Sequence, residues 1–302
     1  DIVKCLVENG AEVNAVSKLG ETALSMAALS GNVDMVKYLV ENGAEVNAAE
    51  NLSTTALGMA ALWGNVDIVK YLVENGAEVN AVSKLDKTAL HMAASAGHVD
   101  IVKCLVENGA EVNAADKLDK TALHMAASAG HVDIVKCLVE NGAEVNAADK
   151  LGETALSMAV SSGNVDMVKY LVENGAEVNA AENLSTTALG MAALWGNVDI
   201  VKYLVENGAE VNAVSKFGKT ALRMAARVGH VDIVKYLMEN GAKVNAVDKD
   251  GQTALHVAAE GRRVDVVKCL VENGALLDAR DKVGQMPFDL AKDKTIVNYL
   301  KD

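Results

Sequence analysis

Apolar and polar positions alternate along this chain in a pattern that returns every 33 residues. Within residues 22–43, a run rich in Ala, Leu and Met follows a threonine, and a second run follows a glycine. The second run spaces its apolar residues three and four positions apart, at Val33, Val36, Leu39 and Val40. That spacing places them on one face of a helix. The pattern therefore predicts a pair of short amphipathic helices in each unit.

The residue types at the ends of these runs predict where the helices begin and end. Thr22 is suited to cap a first helix over 23–30, and Gly31 is suited to end it. A second helix is predicted over 32–42, followed by Gly43 and a loop with a tight turn. Helices this short are not stable alone in water, so each unit must bury apolar residues against the next. The residues expected in that core are Leu24, Ala27, Ala28, Leu39 and Val40.

Two sequence markers keep the same phase along the chain. The Asn-Gly pair recurs at Asn9, Asn42, Asn75, Asn108, Asn141, Asn174, Asn207, Asn240 and Asn273. Thr-Ala-Leu recurs at Thr22, Thr55, Thr88, Thr121, Thr154, Thr187, Thr220 and Thr253. This phase predicts one repeat array over 1–302, with a partial repeat at 1–15, full repeats over 16–279 and a capping repeat at 280–302.

The fullest copies of the unit resemble the ankyrin repeat. They read Thr-Ala-Leu-His-x-Ala-Ala-x-x-Gly-His-Val-Asp, followed by Val-Lys-x-Leu-Val-Glu-Asn-Gly-Ala-Glu-Val-Asn-Ala, within 86–114 and 119–147. Asp86 and Asp119 take the place of the turn glycine, and Ala replaces the proline that usually follows the threonine. The resemblance covers essentially the whole chain. It implies an all-α ankyrin solenoid with β-hairpin-like loops between its helix pairs.

Composition and charge exclude several classes of function. The chain is 51% hydrophobic but only 3% aromatic, which suits small helices packed closely together. A formal net charge of −13 opposes binding to the phosphate backbone, so no nucleic-acid partner is predicted. No apolar run approaches the roughly 18 residues that a membrane span needs, so no membrane insertion is predicted.

Neither the cysteines nor the histidines form a chemical site in the sequence. Cys5, Cys104, Cys137 and Cys269 share one repeat position, which tyrosine fills elsewhere. Cysteines one repeat apart are expected about 8–10 Å from each other, beyond the ~7 Å limit for a disulfide. Reduced thiols predict a cytoplasmic protein, with the nucleus as an alternative. The histidines recur at ladder spacing, and the resemblance implies that His91, His124 and His256 bond to backbone and to the threonine hydroxyl. No catalytic residue, metal or cofactor is predicted, and the chain is not expected to be an enzyme.

Partner-binding residues are expected where the repetition breaks down. Variation concentrates at the turn tips and along the first helix, positions that line the concave groove and its rim in the ankyrin family. One tip position carries a row of apolar residues: Leu19, Leu52, Leu85, Leu118, Leu151, Leu184 and Phe217. These side chains either pack on neighbouring tips or form a contact stripe.

Leu62-Trp63 and Leu194-Trp195 are the second candidate, since they end two first helices and hold the only tryptophans. Exposed aromatic side chains are common binding anchors. The pairs lie four repeats apart, which allows two equivalent pockets. The alternative is that each tryptophan shields the seam between repeats. Residues 18–84 and 150–216 are identical except at 28/160 and 29/161, so duplication alone explains the second pair.

A basic cluster in the last third of the chain is the third candidate. Arg223 and Arg227 are expected to face the groove, with Lys216, Lys219 and Lys249 on nearby tips. Arginine suits carboxylate and phosphate groups, so an acidic or phosphorylated partner is predicted. The alternative is a surface of salt bridges. Arg262 replaces the glycine that ends the first helix, and either keeps a positive φ or is spared by a turn shifted to Gly261.

Three functions fit these observations. The favoured one is a non-catalytic scaffold for protein–protein interaction that binds a protein or peptide through the groove and turn tips and is itself a monomer. The second is a structural spacer or spring within a longer array, since the units are nearly identical. The third is the targeting arm of an enzyme whose catalytic domain lies outside residues 1–302.

Overall fold

In the computed structural model, residues 2–18, 20–48, 54–180 and 186–301 are described. The chain divides into two compact units, Asp1–Lys150 and Leu151–Asp302. In each unit, a first helix and a second helix alternate along the chain, and neighbouring helix pairs stack on one another. This arrangement confirms the predicted all-α solenoid.

The helices of the first unit follow the 33-residue period. α1 is Ile2–Glu8, a second helix of the partial repeat. The pairs that follow are α2 Ala23–Leu29 with α3 Val33–Glu41, α4 Ala56–Trp63 with α5 Val66–Glu74, α6 Ala89–Ala96 with α7 Val99–Glu107, and α8 Ala122–Ala129 with α9 Val132–Glu140.

The second unit repeats the same plan. Its pairs are α10 Ala155–Ser161 with α11 Val165–Glu173, α12 Ala188–Trp195 with α13 Val198–Glu206, α14 Ala221–Val228 with α15 Val231–Glu239, α16 Ala254–Glu260 with α17 Val264–Glu272, and α18 Pro287–Leu290 with α19 Lys294–Tyr299. The last pair is shorter, and Lys292 between its helices is exposed.

The predicted helix ends are confirmed to within about one residue, because local side chains determine them. The Thr22 hydroxyl accepts a hydrogen bond from the amide of Ser25 at 3.1 Å, as expected of an N-cap. The second helix is followed by Gly43 at φ +87°, a left-handed conformation that glycine adopts without strain.

The core consists of small and branched aliphatic side chains between the stacked pairs. Leu24, Ala28 and Leu39 are buried as predicted. The prediction for Val40 was wrong: it is half-buried, and Val36 is fully buried instead. Alanines at the first-helix contacts allow close packing of neighbouring repeats.

An asparagine ladder joins successive loops. The Asn80 side chain donates to the carbonyl of Gly109 at 3.0 Å and accepts from the amide of Glu111 at 2.8 Å. Asn14, Asn47, Asn113, Asn212 and Asn245 make the same pair of bonds. Because each asparagine bonds to the following repeat, the ladder holds neighbouring loops in register.

The tips are tight turns that also bond to one another. The Ser83 amide donates to the carbonyl of Lys87, and the amide of Asp86 donates back to the carbonyl of Ser83, both at 2.9 Å. The amide of Lys117 reaches the carbonyl of Leu85 in the preceding tip at 3.1 Å. These turns match the predicted hairpin-like loops. Among the described residues, an isolated antiparallel β-bridge within a unit joins Val16 and Thr22.

Arg262 keeps a positive φ, at +59°, while Gly261 is right-handed at φ −74°. The turn is therefore not shifted to the glycine. A left-handed residue with a Cβ costs roughly 1–2 kcal/mol, which glycine avoids. Part of that gain is lost again, because glycine is more flexible in the unfolded chain.

We expect Arg262→Gly to raise the free energy of unfolding by about 0.5–1 kcal/mol, measured by urea denaturation. Arg262→Ala is the control, since it removes the charged side chain but keeps the Cβ. Stabilisation by alanine equal to that by glycine would show that the side chain, and not the backbone, is responsible.

No helix in the described ranges has both the length and the apolarity required to cross a membrane.

Candidate partner-binding surface

The two long faces of the stack differ in chemistry. The second helices present the same charged residues in successive repeats, such as the exposed Asp34, Lys37 and Glu41. We call one side of the first helices the first-helix face; apart from the buried Met224, its residues are partly or fully exposed. It is defined by Met26, Leu29, Met59, Leu62, Trp63, Met92 and Ser95 in the first unit and by Leu194, Trp195, Met224 and Arg227 in the second. Methionine and leucine side chains adapt to a partner's shape.

Each unit contains a cleft on the first-helix face. Cleft 1 lies between α4 and α6, has a volume of about 340 Å³, and is lined by Thr54, Met59, Leu62, Ser83, Lys84, Leu85, Lys87, His91, Met92 and Ser95. Cleft 2 lies between α12 and α14, has a volume of about 190 Å³, and is lined by Thr186, Leu194, Ser215, Phe217, Lys219, Arg223, Met224 and Arg227. Each residue of cleft 2 stands four repeats after a residue of cleft 1. The two clefts thus occupy equivalent places in the repeats, although their volumes differ.

A glycine lies against groups that line each cleft. Gly58 occupies the third position of α4, where a Cβ would lie 2.7 Å from the Thr54 hydroxyl and 3.2 Å from the Met92 sulfur. Gly190 occupies the same place in α12, close to Thr186 and 3.2 Å from the Met224 sulfur. A larger side chain there would displace these cleft-lining groups.

The residue at this helix position is paired with one in the tip that follows. The pairs in the sequence are Gly58 with Ser83, Gly190 with Ser215, His91 with Asp116, His124 with Asp149, His256 with Asp281, Arg223 with Asp248, Ser25 with Glu50 and Ser157 with Glu182. Both members are small in the two glycine pairs, and both of these pairs stand beside a cleft. The glycine in an otherwise regular helix was a signal near the clefts that the sequence analysis missed.

Leu62 and Leu194 lie in the cleft walls, but Trp63 and Trp195 are not among the lining residues. Trp63 is 60% exposed and Trp195 is 62% exposed. Neither is therefore buried in a seam between repeats. Two large aromatic surfaces remain accessible beside the clefts, at the end of each first helix.

Arg223 is not an exposed anchor. Its Nη2 lies 2.6 Å from Oδ2 of Asp248, and both side chains are almost completely buried. A second bond, of 3.2 Å, reaches the side-chain oxygen of Gln252. Burial lowers the pKa of Arg223, and Asp248 opposes that shift. The expected groove-facing arginine is thus largely committed to an internal ion pair, because burial of Asp248 requires a compensating charge.

The other basic candidates remain accessible. Arg227, Lys216 and Lys249 are exposed, while Lys219 is half-buried with its Nζ 5.5 Å from the centre of the Phe217 ring. Arg227, Lys216 and Lys249 make no ion pair with any residue that the structure describes. The structure therefore places a basic surface around cleft 2.

The apolar tips are exposed where they are described. Leu85, Leu118, Leu151 and Phe217 each expose about half of their side chains. Leu85 and Phe217 also line the clefts. Leu19, Leu52 and Leu184 lie outside the described residues.

The histidines and cysteines have structural contacts. Nδ1 of His91 lies 2.9 Å from the Thr88 hydroxyl and accepts from the Thr88 amide at 3.2 Å, and its Nε2 lies 2.9 Å from the Lys120 carbonyl. Cys104, Cys137 and Cys269 are buried free thiols, and burial raises the pKa of each. Across the described ranges, no cluster of His, Cys, Asp and Glu is suited to a metal ion.

Burial of His91 predicts a pH dependence. Desolvation lowers the pKa of this imidazole below its ordinary value, and contacts such as Asp116 only partly oppose the shift. As the pH falls, this imidazole is therefore protonated in the unfolded chain before it is protonated in the folded chain. The stability that the neutral His91 contributes is present above about pH 6.5 and is lost below it.

We expect the free energy of unfolding to fall between pH 7.5 and 5.5, and to fall less in the His91→Ser variant. Serine is a matched replacement because Ser25 accepts from the Thr22 amide at 3.0 Å in the same position. Urea denaturation across that pH range measures the effect. An equal slope for both proteins would contradict the prediction.

Comparison with known proteins gives one result. A family model described as "Ankyrin repeats (3 copies)" matches residues 1–83, 80–149, 146–215 and 212–281. No curated protein matches the chain.

Proposed function

Because the chain belongs to the ankyrin repeat family, whose members generally mediate protein–protein interaction, we propose that it is a non-catalytic module that holds a protein partner. The contact surface is the first-helix face together with the turn tips. The partner is a protein or peptide segment that inserts apolar side chains between neighbouring first helices.

The paired clefts support this function most strongly. A uniform spacer needs no opening between first helices, yet each unit has one. Apolar side chains line these openings, and Trp63 and Trp195 stand exposed beside them. Exposed tryptophan next to an apolar cleft is typical of interaction hot spots.

Selection from a displayed library of random 16-residue peptides tests the proposal. The intact chain is expected to enrich peptides that bind in solution. A variant with Leu62→Ser, Trp63→Ala, Leu194→Ser and Trp195→Ala is expected to lose at least tenfold in affinity for them. These replacements are matched to the chain itself, since Ser95 and Ala96 end α6 at the same positions.

Substitutions on the second helices provide the control. Lys70→Ala and Lys202→Ala change exposed residues of that face and are expected to leave peptide affinity unchanged. If no peptide is enriched, or if both variants bind equally well, the spacer function is favoured, which the near-identity of 18–84 and 150–216 already fits. A targeting arm of an enzyme would bind its target through this same surface, so the selection does not distinguish it from a scaffold.

Cellular location and assembly belong to the same proposal. The free thiols Cys5, Cys104, Cys137 and Cys269 fit a reducing compartment, the cytoplasm or the nucleus. The module acts as a monomer, which light scattering at increasing protein concentration tests directly.

A further inference from the structure

One wall consists of the same residue types in both clefts, and the other wall differs between them. Thr54, Leu62 and Ser83 of cleft 1 lie within a segment, 54–84, that is identical to 186–216 of cleft 2. The difference begins at the tip and continues along the next first helix. Leu85 becomes Phe217, His91 becomes Arg223 and Ser95 becomes Arg227.

The differing wall changes the charge of the cleft. Arg227 takes the place of a serine, and Gly218 takes the place of Asp86, so cleft 2 gains a cation and lacks a neighbouring carboxylate. Lys219 lines cleft 2 as Lys87 lines cleft 1, and Lys216 and Lys249 have equivalents in Lys84 and Lys117. The difference in charge between the clefts therefore rests on Arg227 and Gly218. The charge of Asp248 is compensated by Arg223 at 2.6 Å. Asp250 and Glu260 lie within electrostatic range of Arg223, but neither forms an ion pair with a described basic residue.

Two hydrogen-bond donors at cleft 2 lack a partner. The guanidinium of Arg227 makes no side-chain hydrogen bond to any described residue, and the buried Nε of Arg223 has no acceptor within the described part of the chain. A buried donor without a partner is unfavourable. Because this Nε is fully buried, the exposed guanidinium of Arg227 is the donor that an anionic group in the cleft can reach.

We propose that cleft 2 recognises an apolar side chain flanked by an anionic group of a partner segment, whereas cleft 1 recognises the apolar side chain without a preference for the anion. The shared wall with Leu194 contacts the apolar side chain, and Arg227 pairs with the anion, assisted by Lys219. The anion is a carboxylate or a phosphate. This assignment rests on the proposed function, since it names the chemistry that the interaction surface selects.

Methionine methyl NMR measures both clefts in one sample. Met92 lines cleft 1 and Met224 lines cleft 2, so ¹³C-methyl labels on the intact chain report each cleft separately. Met92→Leu and Met224→Leu variants assign the two signals. The probes are acetyl-Gly-Glu-Leu-Glu-Gly-amide, the same peptide with glutamine in place of glutamate, and the same peptide with phosphoserine in place of glutamate.

At Met224, at least one anionic peptide is expected to bind about fivefold more tightly than the glutamine peptide at low salt, the magnitude of a partly exposed charge pair. That preference is expected to shrink in 0.5 M KCl, because exposed pairs are screened. At Met92, the three peptides are expected to bind within twofold of each other. The tighter anionic peptide identifies the anion as carboxylate or phosphate.

Two variants exchange the residue that differs between the clefts at positions 95 and 227. Arg227→Ser gives cleft 2 the residue of cleft 1 and is expected to abolish the preference at Met224. Ser95→Arg is expected to create a preference at Met92. Both residues are exposed, so neither exchange threatens the fold.

Equal affinities at Met224 for the anionic and neutral peptides, or an unchanged preference in Arg227→Ser, would overturn the assignment. So would the absence of a shift at Met224 with every peptide. The library selection separates this failure from failure of the proposed function. Enriched peptides that still depend on the first-helix face would leave that function standing, whereas a selection without binders would remove both.

Discussion

Replacing Arg223 by methionine is expected to lower the free energy of unfolding by about 3 kcal/mol, the largest effect of any single change considered. The substitution removes the partner of Asp248, whose side chain is fully buried. Loss of one member of a buried ion pair leaves an uncompensated charge, which typically costs about 3–5 kcal/mol. Urea denaturation of the whole chain measures the change.

Two companion variants separate lost pairing from lost packing. Arg223→His is expected to cost no more than about 1 kcal/mol, because histidine is paired with aspartate at His91 and Asp116. The double variant Arg223→Met with Asp248→Ser is expected to recover most of the loss, since Ser215 serves the same turn by accepting from the amides of Phe217 and Lys219. If Arg223→Met costs as little as the exposed Arg227→Ser, the ion pair is not the source of stability.

Alanine at Gly97 is expected to lower the free energy of unfolding by about 2–3 kcal/mol, and alanine at Gly109 by about 1 kcal/mol. Both glycines are left-handed, at φ +87° and +84°, so both substitutions carry the same backbone cost. A Cβ at Gly97 would also lie 2.7 Å from Cε1 of His131, whereas nothing lies within 4 Å of one at Gly109. The difference between the variants therefore isolates the steric contact.

The His131→Asn background tests that explanation. Asparagine occupies this position at Asn65 and Asn197, where its nearest atom lies 2.9 Å from a Cβ built on Gly31 and 3.5 Å from one built on Gly163. In this background, Gly97→Ala is expected to cost less than in the parent chain, because the smaller amide leaves more room than the imidazole ring. A cost that stays near 3 kcal/mol would mean that displacement of the histidine is not responsible. Urea denaturation of the parent chain, Gly97→Ala, His131→Asn and the double variant completes the double-mutant cycle.

The helix pairs could be predicted from the sequence because their determinants lie within a few residues. Thr22 caps the helix that begins at Ala23, and Gly43 follows the helix that ends at Glu41. Repetition supplied the rest of the architecture, since one correctly interpreted unit applies to all its copies. The error at Val40 arose because periodicity identifies an apolar face but not which of its residues is deepest.

The candidate site was less predictable because it depends on contacts between repeats. Arg223 occupies a first-helix position that suggests exposure, but Asp248 in the next tip holds it inside. Cleft 1 is lined by inconspicuous residues such as Thr54 and Ser83, which a search for conspicuous residues overlooks. The tryptophans were recognised by their size, yet it is the preceding leucines that line the clefts.

The pairing between a first-helix residue and the following tip also bears on how such arrays diversify. The groups that line cleft 1 come from the first helix of one repeat, the next tip and the first helix after it. Recombination that inserts or deletes a repeat from tip to tip would separate Gly58 from Ser83 and join each to a new neighbour. The unit of recognition therefore crosses the boundary between two repeats. A crossover at the tip, as between the copies ending at 84 and 216, keeps one wall and renews the other.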